Sequence, residues 1–200
     1  RMQNAGQSCI AAKRFLVQEK IVDEFVAKFK VAIQNLKTGN PLDKETQIGS
    51  LARVDLAEEL ELQVQKSIQM GAKLIVGGNG KDAFYEPTIL TNVTTEMPVF
   101  KEETFGPVAA IITFKTIEEA IKLSNQSEFG LGVSIFTQDI DFIKTKISAF
   151  NEGAVFINDM VKSDPRLPFG GIKKSGYGRE LAEDGIKEFV NVKTVVINIL

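Results

Sequence analysis

Apolar and polar positions along this chain switch repeatedly between two periods, and that alternation predicts its architecture. From Lys20 to Leu36 the apolar residues Ile21, Phe25, Phe29, Ala32 and Leu36 recur at spacings of three and four, which predicts an amphipathic helix stopped by Gly39-Asn40-Pro41. A second stripe, Ala57, Leu60, Val64 and Ile68, predicts a helix from about Leu51 to Met70, closed by Gly71. Short apolar runs suit strands at Lys13 to Gln18, Lys73 to Val76, Val108 to Phe114, Gly132 to Thr137 and Ala154 to Asn158. The run ending at Val76 meets Gly77-Gly78-Asn79-Gly80, a strong turn signal. Thr116-Ile117-Glu118-Glu119 has the pattern of a capping box opening a helix to about Asn125, and Asp139 can cap another to about Phe150. Near-continuous apolar strands separated by helices predict an α/β fold, a mostly parallel sheet covered by helices on both faces.

Two stretches fall outside this rhythm. Asp159 to Gly178 has no period and is rich in Gly and Pro, as functional loops and linkers are, and a short helix is expected after it around Arg179 to Glu183. Val192 to Leu200 is long, β-branched and carries one charge, so as an edge strand it invites aggregation unless something pairs with it. The expected organisation is therefore one domain over residues 1–185 and a separate C-terminal segment over 186–200.

Composition narrows the chemistry. The chain has 24 Lys and Arg against 26 Asp and Glu, a net charge of −2, and its densest basic cluster is Lys173-Lys174, so a nucleic-acid partner is not expected. No apolar run approaches the ~20 residues that span a bilayer, and a cytoplasmic protein without a membrane partner is expected. There is no His and a single Cys. Ser-His-Asp hydrolysis, Cys-His proteolysis, His-bearing zinc sites and four-cysteine metal sites cannot be assembled from these residues, and no metal site is read. Chemistry falls to carboxylates, Lys, Tyr, hydroxyls or Cys9.

A free Cys is most often a small buried hydrophobe. The setting of Cys9 also allows a second reading. Asn4, Gly6, Gln7 and Ser8 are small or polar, and Ile10-Ala11-Ala12 reads as the start of a helical or turn segment. Cys9 would then lie near a helix N-terminus, where backbone N–H groups favour a thiolate and can hold an oxyanion. The Gly-rich block after Pro168 is tempting as a phosphate cradle, but Tyr177 stands where a P-loop needs Lys, and its glycines read better as tight turns.

Three motifs make the reading specific. Asn4-x-Gly6-Gln7-x-Cys9, then Lys101-Glu102-Glu103-Thr104-Phe105-Gly106-Pro107-Val108, then Pro168-Phe169-Gly170-Gly171-x-Lys173-x-Ser175-Gly176-x-Gly178-Arg179-Glu180 resemble, in order, three sequence blocks of the aldehyde dehydrogenase superfamily. The resemblance implies that Cys9 is a nucleophile that forms a thiohemiacetal and then a thioester with an aldehyde. It implies NAD or NADP as cofactor, with Glu103 bonded to the nicotinamide ribose hydroxyls and Phe105 packed on the nicotinamide end. It further implies that Phe169 lines the substrate funnel and that the C-terminal strand joins another subunit's sheet, giving a homodimer or homotetramer. The run from Phe156 to Leu181 is most similar to bacterial succinate-semialdehyde dehydrogenases, in which case Ser163 and Arg166 would bind a substrate carboxylate. The water-activating Glu, the oxyanion Asn and the cofactor-binding domain of that family precede the Cys motif, and the opening Arg1-Met2-Gln3 reads as the middle of a longer polypeptide. A non-catalytic assembly module retaining the fold, and a thiol acyltransferase working without nicotinamide, are the competing readings.

Overall fold

The computed structural model describes residues 1–199, and these fall into two compact units, one from Arg1 to Ser127 and one from Glu128 onward. In the first unit a 3-10 turn at Gln3–Gly6 leads to β1 (Arg14–Gln18), α1 (Val22–Gln34), α2 (Val54–Gln69), β2 (Lys73–Val76), β3 (Gly80–Lys81), β4 (Phe84–Tyr85), β5 (Thr88–Thr91), α3 (Pro98–Lys101), β6 (Val108–Phe114) and α4 (Ile117–Asn125). The main sheet has the order β1-β6-β5-β2. β6 pairs in parallel with both β1 and β5, while β2 runs antiparallel to β5. This is the mostly parallel α/β sheet that the apolar runs predict. Strand β6 explains why: Val108 to Ile112 are all buried, and successive side chains point to opposite faces, so both faces are covered.

The helices follow their stripes, with shifts that have physical causes. Phe25 and Phe29 of α1 pack with Phe15 of β1 at ring-centroid distances of 6.4 and 5.3 Å. The buried residue of the last turn is Ile33, whereas Ala32 is exposed. In α2 the expected Ala57, Leu60 and Val64 are buried, and two polar residues join them. Ser67 Oγ donates to the Gln63 carbonyl at 2.8 Å and accepts from the Val99 amide at 3.3 Å, which fastens α3 to α2. The Gln63 side chain donates to the Glu102 carboxylate at 3.0 Å, at the end of α3. The capping box of α4 forms with one displacement. Thr116 Oγ1 accepts from the Glu119 amide, but the Glu119 carboxylate reaches back to the Lys115 amide at 2.8 Å.

The second unit contains β7 (Phe129–Gly130), β8 (Val133–Ile135), α5 (Ile140–Lys144), a 3-10 turn at Ile147–Ala149, β9 (Val155–Ile157), β10 (Ile172–Lys173) and α6 (Ala182–Lys187). β8 and β9 pair in parallel, and Asn158 extends their contact with its side chain: the amide oxygen accepts from Thr137 N and the amide nitrogen donates to Thr137 O, each at 2.8 Å. Asp139 caps α5, which ends at Lys144 and is followed by the 3-10 turn, so the long helix expected to Phe150 is broken in two. The aperiodic loop is pinned at two points, by β10 against β7 and by paired backbone bonds between Phe169 and Glu180. Residues 191–199 adopt no regular structure, and the strand expected over Val192 to Leu200 finds no ladder partner among the described residues. Leu200 lies outside them.

Leu60 and Gly106 make the core of the first unit unforgiving where it meets the segment before β6. Leu60 is buried, and a Cβ placed on Gly106 would run into its Cδ2 methyl. Gly106→Ala should therefore destabilise by about 1–3 kcal/mol through overpacking, and Leu60→Ala by about 2–5 kcal/mol through the cavity it leaves. In urea denaturation the double variant should lose less than the two single losses added together, by roughly 1 kcal/mol or more; strict additivity would show that the two positions do not touch.

Candidate active site

Two of the sequence motifs meet because of strand register. β1 begins five residues after Cys9, β6 begins two residues after Gly106, and Arg14 at the start of β1 lies opposite Ala110 of β6. The segments that enter these neighbouring parallel strands, residues 1–13 and 102–107, are consequently brought side by side. Gly6 sits at the closest approach: its φ is +75° and a Cβ on it would strike the Gly106 carbonyl. Only glycine meets both demands, which is the physical content of a Gly at that place in each motif.

The turn bearing Cys9 differs from expectation. No helix begins at Ile10; Cys9 and Ile10 are the central residues of a turn closed by the Ala11 amide on the Ser8 carbonyl at 3.1 Å. A helix dipole therefore does not act on Cys9. The turn is preceded by a left-handed stretch, Asn4 and Ala5 at φ 51° and 52°, followed by Gly6. Asn tolerates this conformation and Gly favours it, whereas Ala5 bears a cost of roughly 1–2 kcal/mol. The turn is locked by the Asn4 side chain donating to the Gln7 carbonyl at 3.0 Å and by the Gln7 side chain accepting from the Ala52 amide at 2.9 Å. Strain held in place by such bonds is a feature of functional segments. The thiol-bearing residue is solvent-exposed in this chain and lies outside the apolar core of its unit.

Two cations anchor the turn to the segment before β6. The Lys13 side chain is only 9% exposed, and its ammonium lies 3.4 Å from Glu103 Oε1 and 5.0 Å from the centre of the Phe105 ring. It also donates to the carbonyls of Ser8, Cys9 and Ala11 at 3.3–3.4 Å. Burial pulls its pKa down and the Arg1 charge adds to this, while Glu103 and Cys9 act in the opposite sense. Arg1 clamps the same two segments. Its Nε donates to the Gly106 carbonyl at 3.0 Å, and its Nη2 donates to that oxygen as well and to the Thr104 carbonyl at 2.8 Å. Nη1 donates to the Ala11 carbonyl at 3.0 Å. Burial brings the Arg1 guanidinium down to about 10, so it stays charged at neutral pH. Arg14 completes the set, donating to the Phe100 carbonyl at 2.7 Å with its guanidinium 5.2 Å from the Phe100 ring centre.

The first unit thus ties the Cys9 backbone, the Glu103 carboxylate and the Phe105 ring to one ammonium. Glu103 and Phe105 each keep more than a third of their surface open, 36% for the carboxylate side chain and 38% for the phenylalanine. A thiol, a carboxylate able to accept from two hydroxyls, and an apolar ring suit attack on a carbonyl beside a bound ribosyl ring system. Neither Lys13 nor Arg1 stands out in the sequence. The partners that make them notable, Glu103 to Gly106, lie about a hundred positions away, and a Lys before a strand is ordinary.

The remaining candidates lie in the second unit. Phe169 lines a cavity of about 260 Å³ together with Phe156, Lys162, Asp164 and Leu167. Ser163 is exposed. Arg166 is exposed too, and its fork is engaged within the loop, with Nε and Nη2 donating to the two oxygens of Asp164 at 2.9 and 2.6 Å. The Arg166 guanidinium and the Arg166 amide hold the Asp164 carboxyl below its ordinary range. The Gly-rich block is built by close approach. A Cβ on Gly153 would strike the Gly170 carbonyl, and Ser175 Oγ accepts from the Gly130 amide at 3.0 Å. Among the described residues no group of three or more acidic or thiol side chains is arranged to hold a metal ion, and no helix is long and apolar enough to cross a membrane.

Comparison with known proteins places the chain in a family. The chain is 48% identical over 198 residues to the succinate semialdehyde dehydrogenase [NAD(P)+] Sad of Escherichia coli, covering 98% of this chain and 43% of that protein. It is 50% identical over 200 residues to a probable succinate-semialdehyde dehydrogenase [NADP(+)] of Synechocystis, covering 98% and 44%. The chain thus spans less than half the length of these relatives. The crystal structure of a glyceraldehyde-3-phosphate dehydrogenase from Methanocaldococcus jannaschii, complexed with NADP, superposes with a TM-score of 0.90 at 41% identity, over 96% of this chain and 42% of that one. With residues 1–195 also matched by the model of the aldehyde dehydrogenase family, the chain belongs to that family.

Proposed function

We propose that this chain is the thiol-bearing catalytic part of a cytoplasmic, NAD(P)-dependent aldehyde dehydrogenase that oxidises succinate semialdehyde to succinate. The observation that carries the reading is the gathering of an exposed thiol, a half-open carboxylate and a half-open aromatic ring within one unit. The names of the relatives support the cofactor and the aldehyde.

The residues present fit a nicotinamide riboside. The Glu103 carboxylate, oriented through one oxygen by Lys13, can accept from vicinal ribose hydroxyls, and Phe105 offers an apolar face beside it. When bound, the nicotinamide supplies a hydride acceptor at its C4. Cys9 Sγ attacks the aldehyde carbon, forming a C–S bond and moving the carbonyl electron pair onto oxygen. The Cys9 backbone N–H and an Asn elsewhere in the whole protein hold that oxyanion. Loss of hydride from the carbon leaves a thioester on Cys9. Attack by water, with a Glu elsewhere in the whole protein taking its proton, breaks the C–S bond to give the acid and restore the thiolate. In the second unit, Ser163 and Arg166 are assigned to the semialdehyde's single carboxylate, and Phe169 to the lining of the substrate's approach. Arg166 is already committed to Asp164, so a substrate carboxylate must compete with that ion pair.

The C-terminal segment, residues 186–200, is proposed to complete a homodimer or homotetramer. Its described apolar side chains are open to solvent, Val192 at 95% and Ile199 at 94%, which is a surface expected to find a partner strand.

Three outcomes follow for the whole protein. NAD(P)H formation from succinate semialdehyde should fall to background in Cys9→Ala; turnover at the wild-type rate would end the nucleophile assignment. Ser163→Ala and Arg166→Ala should raise KM for succinate semialdehyde by up to about tenfold, with little effect on an uncharged aldehyde of similar length; equal effects on both would remove the carboxylate-binding role. Truncation after Asn191 should lower the mass seen by light scattering to that of the monomer, and an unchanged mass would place the subunit contact elsewhere.

A further inference from the structure

We infer that Lys13 is a positioning residue that sets cofactor affinity by holding the Glu103 carboxylate and the Phe105 ring against the Cys9 turn, an inference that rests on the proposed dehydrogenase reading. The geometry singles it out. One ammonium, almost wholly withdrawn from solvent, faces oxygens from both sides: the Ser8, Cys9 and Ala11 carbonyls from the nucleophile turn, and Glu103 Oε1 from the segment before β6. The Phe105 ring lies 5.0 Å from it.

Three features argue that the positive charge matters as well as the packing. An ion pair and a cation–π contact both vanish with the charge. The ammonium has three protons for four oxygens, all at 3.3–3.4 Å, so it holds each by attraction shared among them and not by one short bond. A desolvated charge so placed is also costly to keep unless its partners stay where they are, and this ties the carboxylate to the turn. Arg1 and Arg14 also feel the Glu103 charge, but their guanidinium hydrogen bonds go to backbone carbonyls, whereas Lys13 is ion-paired to the Glu103 carboxylate and lies over the Phe105 ring.

Lys13→Met keeps the length of the buried stem and removes the charge. In the whole protein it should weaken NAD(P) binding, measured by calorimetric titration, by about tenfold. The cofactor KM should rise by a similar factor, with a smaller change in kcat and in the aldehyde KM, and Lys13→Arg should recover most of the affinity. The deciding measurement is a double-mutant cycle with Glu103→Gln. If Lys13 acts through Glu103, the loss in the double variant should be close to that of Glu103→Gln alone. Additive losses, or a fall in kcat and thermal stability with cofactor affinity unchanged, would overturn the inference. Failure of the wild-type protein to bind NAD(P) would instead overturn the dehydrogenase reading, so the two failures are told apart by which protein shows them.

Discussion

Two buried cations wedged between two backbone segments are the constraint on which the site depends. Arg1 and Lys13 are both largely withdrawn from water, and burial lowers the pKa of each. A desolvated charge is tolerated only where fixed dipoles and opposite charges replace its hydration shell. Here the replacements are the carbonyls of Ser8, Cys9, Ala11, Thr104 and Gly106 and the Glu103 carboxylate. These acceptors must stay within about 3.5 Å of the cations for the arrangement to be stable, which fixes the Cys9 turn relative to the 103–106 segment. The glycines belong to the same constraint. Without the contact of Gly6 on Gly106 and of Gly106 on Leu60, the segments would stand too far apart for one guanidinium to reach both.

The sheet delivers these segments to one another. Parallel pairing of β1 with β6 places the strands' entries at the same end, so the loops leading into the two strands become neighbours. In open α/β sheets the general expectation puts ligand sites beyond the carboxyl ends of the strands. The proposed site lies instead at the entries of β1 and β6. The difference has a local cause, since the residues that enter β1 are the strained turn carrying Cys9, and those that enter β6 carry Glu103 and Phe105. Behind them, Gln63 and Ser67 tie α3 and Glu102 to α2, so the carboxylate-bearing segment hangs from a helix whose other residues fill the core.

How much of this the sequence discloses varies with the range of the forces involved. Val108 to Phe114 and Lys73 to Val76 are read to the residue, because an apolar run bounded by turn residues is a local signal. The capping residues Thr116 and Asp139 are legible for the same reason. Strands of two residues such as β3, β4, β7 and β10 are not, since their extended geometry comes from the partner and not from their own side chains. At Ile10 the sequence leaves helix and turn open, and the chain takes the turn, after the left-handed conformation of Asn4 and Ala5. Motif resemblance picked out Cys9, Glu103 and Phe105. Lys13 stayed hidden because its meaning depends on Glu103, which only the β1–β6 register brings within reach.

The proposed function assigns the scaffold and the substrate to different places. Solved structures named for different aldehydes share this backbone closely, so the backbone by itself does not specify the aldehyde. Discrimination between aldehydes needs polar groups that one substrate satisfies and another leaves unpaired. In this chain the loop from Asp159 to Gly178 has that character: it is aperiodic, pinned at its far end by β10 and by the Phe169–Glu180 pairing, and it presents Ser163 and Arg166 at the surface. The engagement of Arg166 by Asp164 sharpens the argument. A fork already satisfied by a neighbouring carboxylate gains little from an uncharged aldehyde and gains from a second carboxylate only if exchange is favourable. Under the proposed function, such a loop would offer uncharged competitors nothing and would set affinity for a charged one through the strength of the pair that must be displaced.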